Sequence, residues 1–166
     1  MNGRKLTDRE IDICRSLFGD AINYSQVQVF NQKWWPFQPR NITMAPDGNL
    51  WFHPDSGLFC DSFCGSSAIM RGHFVHEMVH VWQHQSGIFL PLARHPFCRY
   101  DYKLVPGKSF ASYGIEQQAE IVSHIYLLKQ GLKLKNRYIL NQYDGLLPFE
   151  VKKGSRHGLT ASLGQK

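Results

Sequence analysis

The chain has 166 residues, of which 43% are apolar and 19% charged, and a formal net charge of +6. That balance excludes a disordered protein and fits one domain with enough chain for a real core. No run of 18 apolar residues occurs, which excludes a membrane-spanning helix, and Met1 to Arg15 holds no apolar signal region. The expectation is a chain made in the cytoplasm that stays there unless a signal-peptide-independent secretion system exports it.

Thr7-Asp8-Arg9-Glu10 is a capping box, with Thr at the cap and Glu three residues later. It predicts a helix through Ile11, Ile13 or Cys14, and Leu17, stopped near Gly19. Val27 to Phe30 alternates like a strand. Trp34-Trp35-Pro36-Phe37-Gln38-Pro39 reads as a stiff aromatic connection, because each proline also restricts the residue before it. Pro46-Asp47-Gly48 separates Ile42–Ala45 from Asn49–His53, and Asp-Gly between two such runs predicts a hairpin. Gly57 to Gly65 reads as a loop. Cys60 and Cys64 are four apart, a spacing that is not the C-x-x-C of a zinc knuckle or redox site, so the four cysteines (with Cys14 and Cys98) are expected as free thiols.

Ser66 or Ser67 caps the next helix, which runs to about Ser86 with Gly87 at its end. It carries His76-Glu77-Met78-Val79-His80, an H-E-x-x-H motif inside the apolar stretch Phe74–Trp82. Residues four apart share a helical face, so both imidazoles can reach one ion, and Glu77 beside them can act as a general base on water. Two core histidines and a surface carboxylate would be the bland alternative, but an otherwise apolar helix makes unpartnered polar groups costly. His73 and His84 flank the motif at helical spacing and are expected at the surface or behind the ligands.

A segment punctuated by Pro91, Pro96 and Pro106 follows, long enough to be functional in its own right. The last long helix is predicted from about Tyr113 to Gln130, ending at Gly131. It contains Glu116-Gln117-Gln118-Ala119-Glu120, two carboxylates on one face. A catalytic zinc site takes three protein ligands, so either Glu116 or Glu120 can complete the set with His76 and His80. His124, one turn on, is placed at the core edge or near the site. Leu146-Leu147-Pro148-Phe149 is a packing segment. After Glu150 come Lys152, Lys153, Arg156 and Lys166 with no acid, and the composition there predicts a disordered basic tail over 151–166. Nothing resembles the stacking motifs of single-strand binders, so nucleic acid is not an expected partner.

H-E-x-x-H followed on a later helix by E-x-x-A-[D/E] resembles the gluzincin branch of the zincin metallopeptidases. That resemblance implies His76, His80 and Glu116 as zinc ligands, and Glu120 as the carboxylate that orients a ligand histidine. The branch more often carries Asp at the last position, and Glu120 is one methylene longer. The set H-E-M-V-H-V-W-Q, H-P-F-C-R-Y and Y-G-I-E-Q-Q-A-E-I, together with W-W-P-F-Q-P-R-N, resembles small Rhs- or Vgr-related proteins of bacterial type VI secretion and toxin loci. It implies Rhs- or Vgr-type secretion components as partners.

The expected fold is α+β, a minimal zincin over residues 1–150: a small antiparallel sheet packed on the H-E-x-x-H helix, with the glutamate helix beside it. The Asn49–His53 edge would lie along an extended substrate, with His53 nearby. Two neutral imidazoles, one carboxylate and Zn2+ sum to +1, a charge that acidifies water and favours an oxyanion. Tyr113 is the expected oxyanion partner, with His95, Arg99, Tyr100 and Tyr102 as alternatives. The expected function is zinc-dependent hydrolysis of a peptide bond, in a protein or a peptidoglycan stem. The alternative is a non-catalytic zinc-containing adaptor of the secretion apparatus, although an adaptor would have no use for Glu77.

Overall fold

The computed structural model describes residues 3–88, 90, 99–135 and 138–151. The first helix, α1 (Asp8–Phe18), starts as its capping box requires: Thr7 Oγ1 accepts from the Glu10 amide at 3.3 Å, and Glu10 Oε2 accepts from the Thr7 amide at 2.8 Å. Glu10 does more than cap. It is fully buried, accepts from both terminal nitrogens of Arg4 at 2.9 Å, and accepts from the Phe63 amide at 2.9 Å. Arg4 in turn donates to the Cys60 carbonyl. One carboxylate thus ties together the N-terminal strand, α1 and the loop that leads into the motif helix.

The sheet has three short strands in the order β1 (Arg4–Lys5), β2 (Gln28–Phe30), β3 (Leu50–Trp51). β1 is antiparallel to β2, whereas β2 and β3 are parallel, with Val29 opposite Leu50 and Phe30 opposite Trp51. The sheet is therefore mixed, which corrects the expected antiparallel sheet. The turn at Pro46-Asp47-Gly48 exists, with Gly48 at φ 80°, but it closes a single bridge between Met44 and Trp51. Turns at Trp35–Gln38 and Pro39–Ile42 fold the intervening chain back. β3 consequently runs in the same direction as β2, and the Phe30 and Trp51 rings stack across that pair at 3.9 Å.

Two longer helices pack on each other, and the first of them also packs on β3. Ser67 Oγ accepts from the Met70 amide and starts α2 (Ala68–Gln85), and Gly114 precedes α3 (Ile115–Lys129), where Gln117 Oε1 accepts from the Gly114 amide. Gly72 admits α3 closely, since a Cβ there would lie 2.8 Å from Leu127 Cδ2. The core joins Phe52, Phe63 and Phe74 through successive ring contacts, and the buried Val75, Met78, Val79, Ile121 and Val122 belong to the same cluster. Phe149 packs against Phe18, Trp82 and Phe110, so the Leu146–Phe149 segment does pack. The chain there runs so close to α1 that a Cβ on Gly19, at φ 56°, would lie 2.1 Å from the Glu150 carbonyl oxygen. The architecture among the described residues is α+β, three α-helices and a small mixed sheet. Cys14, Cys60 and Cys64 are free thiols. Cys98 and the basic stretch 152–166 lie outside the described residues.

Burial by itself would raise the Glu10 pKa, but the Arg4 guanidinium and the Phe63 and Thr7 amides outweigh it and hold the carboxyl below its usual range. A lowered native pKa gives stability that is complete above the unfolded value of about 4.3 and lost as pH falls through the native value. Glu10→Gln should destabilise by roughly 2–4 kcal/mol at pH 7, somewhat under a fully buried pair because Arg4 keeps some exposure. Denaturant titrations of both proteins should show this gap constant above about pH 5 and closing below about pH 4. A gap independent of pH would mean that the charge of Glu10 contributes nothing.

Candidate metal centre

α2 and α3 run antiparallel. Ser123 Oγ donates to the Gly72 carbonyl at one end of the pair, and Gln83 Nε2 donates to the Ile115 carbonyl at the other. Between these contacts the two helices place His76, His80 and Glu116 against one another, all buried. One donor atom from each residue lies within 4.8 Å of the other two. Glu116 Oε2 is 3.3 Å from His76 Nε2 and 3.3 Å from His80 Nε2. A tetrahedral ion with bonds of about 2.0–2.1 Å needs donors about 3.3 Å apart.

The histidine tautomers suit a cation. His80 Nδ1 meets Gln83 Oε1 at 2.8 Å, and an amide oxygen can only accept, so the His80 proton sits on Nδ1. Gln83 is itself held by Ile115 and by Gln118 Oε1, and Gln118 donates to the Tyr113 carbonyl. His76 Nδ1 meets Glu120 Oε1 at 3.1 Å, which places a proton on Nδ1 there too. His80 Nε2 therefore presents a lone pair towards Glu116, while His76 Nε2 hydrogen-bonds Glu116 Oε2 at 3.3 Å through a proton that a bound cation would replace. His80 Nε2 is buried, and its approach to Glu116 is not aligned as a hydrogen bond. An orphaned buried nitrogen beside a buried carboxylate fits a bound cation, so this group could hold a metal ion. Burial would lower the His76 pKa, but the Glu116 and Glu120 carboxylates outweigh it and lift it to about 9. Burial lowers the His124 pKa, against the pull of Glu120. In Glu120, burial is outweighed by His76 and then His124, and the pKa falls below its usual range.

Glu77 lies on the open side of this cluster. Its Oε2 is buried without a hydrogen-bond partner among the described residues, and Oε1 is 3.9 Å from His73 Nε2. A cleft of about 170 Å³ opens there, lined by Asn41, Ile42, Thr43, His73, Tyr100 and the site residues His76, Glu77 and Glu120. The Tyr100 ring lies nearly parallel to His76, 6.2 Å away.

Several expectations land elsewhere. The Tyr113 hydroxyl donates to the Lys103 carbonyl and accepts from the Val105 amide, so it is engaged away from the cluster. Tyr113 stands just before the glutamate helix, and its side chain packs back into the preceding loop. Tyr100 is the aromatic residue of that loop that reaches the cleft. Trp51 N and O are both bonded to Met44, and residues 41–43, not Asn49–His53, line the cleft. His53 caps the turn at Asp55. His73 bonds Thr43 Oγ1 at 2.8 Å, and His84 packs near Gly48. Gln83 was missed, although its position three residues after His80 put it on the ligand face. His95 lies outside the described residues.

No protein-family model matches the sequence. The chain is 38% identical over 135 residues to the type VI secretion system spike protein VgrG2b of Pseudomonas aeruginosa. The match takes in 76% of this chain but only 13% of the length of that spike protein. The fold matches the effector domain of Pseudomonas aeruginosa VgrG2b with a TM-score of 0.72 and 35% identity, over 78% of this chain and 76% of that one.

With Glu116 as a ligand and Glu120 behind His76, Glu116→Ala should abolish metal uptake, whereas Glu120→Ala should weaken it by roughly 10–100-fold. Competition against a chelator of known affinity measures both. The reverse order would make Glu120 the ligand.

Proposed function

This chain belongs to the family of the VgrG2b effector domain, and we propose that it is a zinc-dependent metallopeptidase that works within a bacterial type VI secretion or toxin system. Its substrate is a peptide bond in a protein or a peptidoglycan stem. One observation carries the reading: His76 Nε2 and His80 Nε2 each lie 3.3 Å from Glu116 Oε2 in one buried group, beside a Glu77 that lines the adjoining cleft. Zinc suits two imidazoles and one carboxylate, and leaves a fourth position open.

When bound, zinc supplies Lewis acidity, which polarises a carbonyl and acidifies water. The protein residues handle the proton. Glu77 accepts it from the attacking water as the new C–O bond forms, then returns it to the leaving nitrogen as the C–N bond breaks. A water molecule is consumed, and the carboxylate is regenerated. Gln83 and Glu120 each accept the Nδ1 proton of one imidazole, which turns Nε2 of both rings towards the ion, while Glu116 supplies the charge that partly offsets the dication. Tyr100 lines the cleft with its ring alongside His76, which supports it as the partner of the substrate carbonyl in this reading. Exposed Trp34, Trp35 and Phe37 would favour the adaptor reading if catalysis failed, because such side chains suit a protein partner.

Glu77→Gln keeps the volume of the side chain and cannot accept a proton. Metal content should stay near one ion per chain, and hydrolysis of a peptide or stem substrate should fall by at least roughly 10²–10⁴-fold. Elemental analysis and turnover assays read the two quantities separately. Loss of metal would make Glu77 a ligand, and retention of the full biological effect would turn the assignment toward the adaptor.

A further inference from the structure

Behind the metal cluster a line of polar side chains runs out of α3 into two other segments. Glu120 Oε2 lies 3.2 Å from His124 Nε2, one helical turn on. His124 Nδ1 lies 2.6 Å from the Tyr102 hydroxyl, and that hydroxyl lies 2.6 Å from the hydroxyl of Tyr143. Tyr102 belongs to the connection before α3, and Tyr143 is buried in a 3-10 turn at Leu140–Tyr143 near the chain end. Tyr138 stacks on Tyr102 with ring centroids 6.0 Å apart and holds that ring in place.

The direction of the line follows from donor and acceptor chemistry. A carboxylate can only accept, so His124 must present N–H at Nε2 to Glu120. In the neutral ring Nδ1 is then an acceptor, and Tyr102 donates to it. Tyr102 has one proton, so Tyr143 donates to Tyr102. At the other end Glu120 keeps Oε1 for His76 Nδ1–H, which leaves His76 Nε2, now bonded to Glu116 Oε2, as the nitrogen that a metal ion would take. Each group sets the proton position of the next. Without His124, Glu120 would be a half-exposed carboxylate on a flexible stem with one partner.

We propose that His124, Tyr102 and Tyr143 are positioning residues of the metal centre: through Glu120 they lock the orientation and tautomer of His76, and they make ligand geometry depend on docking of the C-terminal turn. This rests on the metal-site reading above and extends it to residues that touch neither metal nor substrate. None of the three lines the cleft, so their effect must appear in the metal site itself.

The test uses the full chain, with zinc affinity measured by chelator competition and the visible absorption spectrum of the cobalt(II) form as readouts. His124→Leu removes the donor to Glu120 and should weaken zinc binding by roughly 10–100-fold, with a shifted cobalt spectrum. His124→Gln can still present an N–H to Glu120 and should recover most of the affinity. Tyr102→Phe keeps the ring stack and should give a loss near the lower end of that range, about tenfold. Phe149→Leu, a packing change remote from this line, serves as a control for lost stability and should leave affinity and spectrum unchanged. Wild-type affinity and spectrum in both His124→Leu and Tyr102→Phe would overturn the proposal, as would equal losses in Phe149→Leu. A wild-type chain that takes up neither zinc nor cobalt would overturn the metal-site reading itself, and this inference with it.

Discussion

Gly72 lets α2 and α3 meet. With no side chain in the way, Leu127 settles against the α2 backbone and Ser123 Oγ reaches the Gly72 carbonyl. At the far end Gln83 crosses to the Ile115 carbonyl and to Gln118. These contacts set the separation and register of an antiparallel pair, and the His76–His80–Glu116 cluster lies between them. A shift of one residue along either helix would rotate a donor by about 100° and take it out of reach, as the 3.6-residue period requires.

A price is paid for burying so much polarity between two helices, and the surroundings show how it is offset. Each imidazole has its Nδ1 on a fixed acceptor, Gln83 for His80 and Glu120 for His76. The polar atoms that remain unmatched, His80 Nε2 and Glu77 Oε2, both belong to the H-E-x-x-H motif. Among the described residues the other buried side-chain polar atoms find partners, as Glu10 does four times over. Mismatch confined to one motif is the pattern expected where a ligand and a reacting water belong.

The small sheet contributes through its loops. The crossover between β2 and β3 returns along the cleft, where Thr43 is fastened to His73 and Gln38 bonds the Ile42 and Trp51 carbonyls. That segment forms one wall and Tyr100 stands on the His76 side. The mixed topology therefore decides which stretch of chain faces the metal cluster. Asn49–His53 does not line that cleft, and Met44 is bridged to Trp51 on that edge.

Local signals were legible in the sequence because they depend on neighbours in the chain. Thr7 and Glu10 cap α1, Ser67 starts α2, and the four-residue spacing of His76 and His80 puts both on one face whatever the rest of the fold does. The carboxylate pair at Glu116 and Glu120 was equally readable as a pattern, but its division of labour was not: both share a face, and only the crossing of α2 and α3 places one at Nε2 and the other at Nδ1 of His76. Resemblance to a known motif suggested that division, while spacing left it open. Proximity of Tyr113 to the glutamate helix along the chain says nothing of where its hydroxyl finds its partners, here the backbone of Lys103 and Val105. The parallel pairing of β3, the cleft wall at 41–43, and the line from Glu120 through His124 to Tyr102 and Tyr143 all join residues distant in sequence. Tertiary packing alone decided them, since a hydrogen bond between remote side chains leaves no periodicity behind.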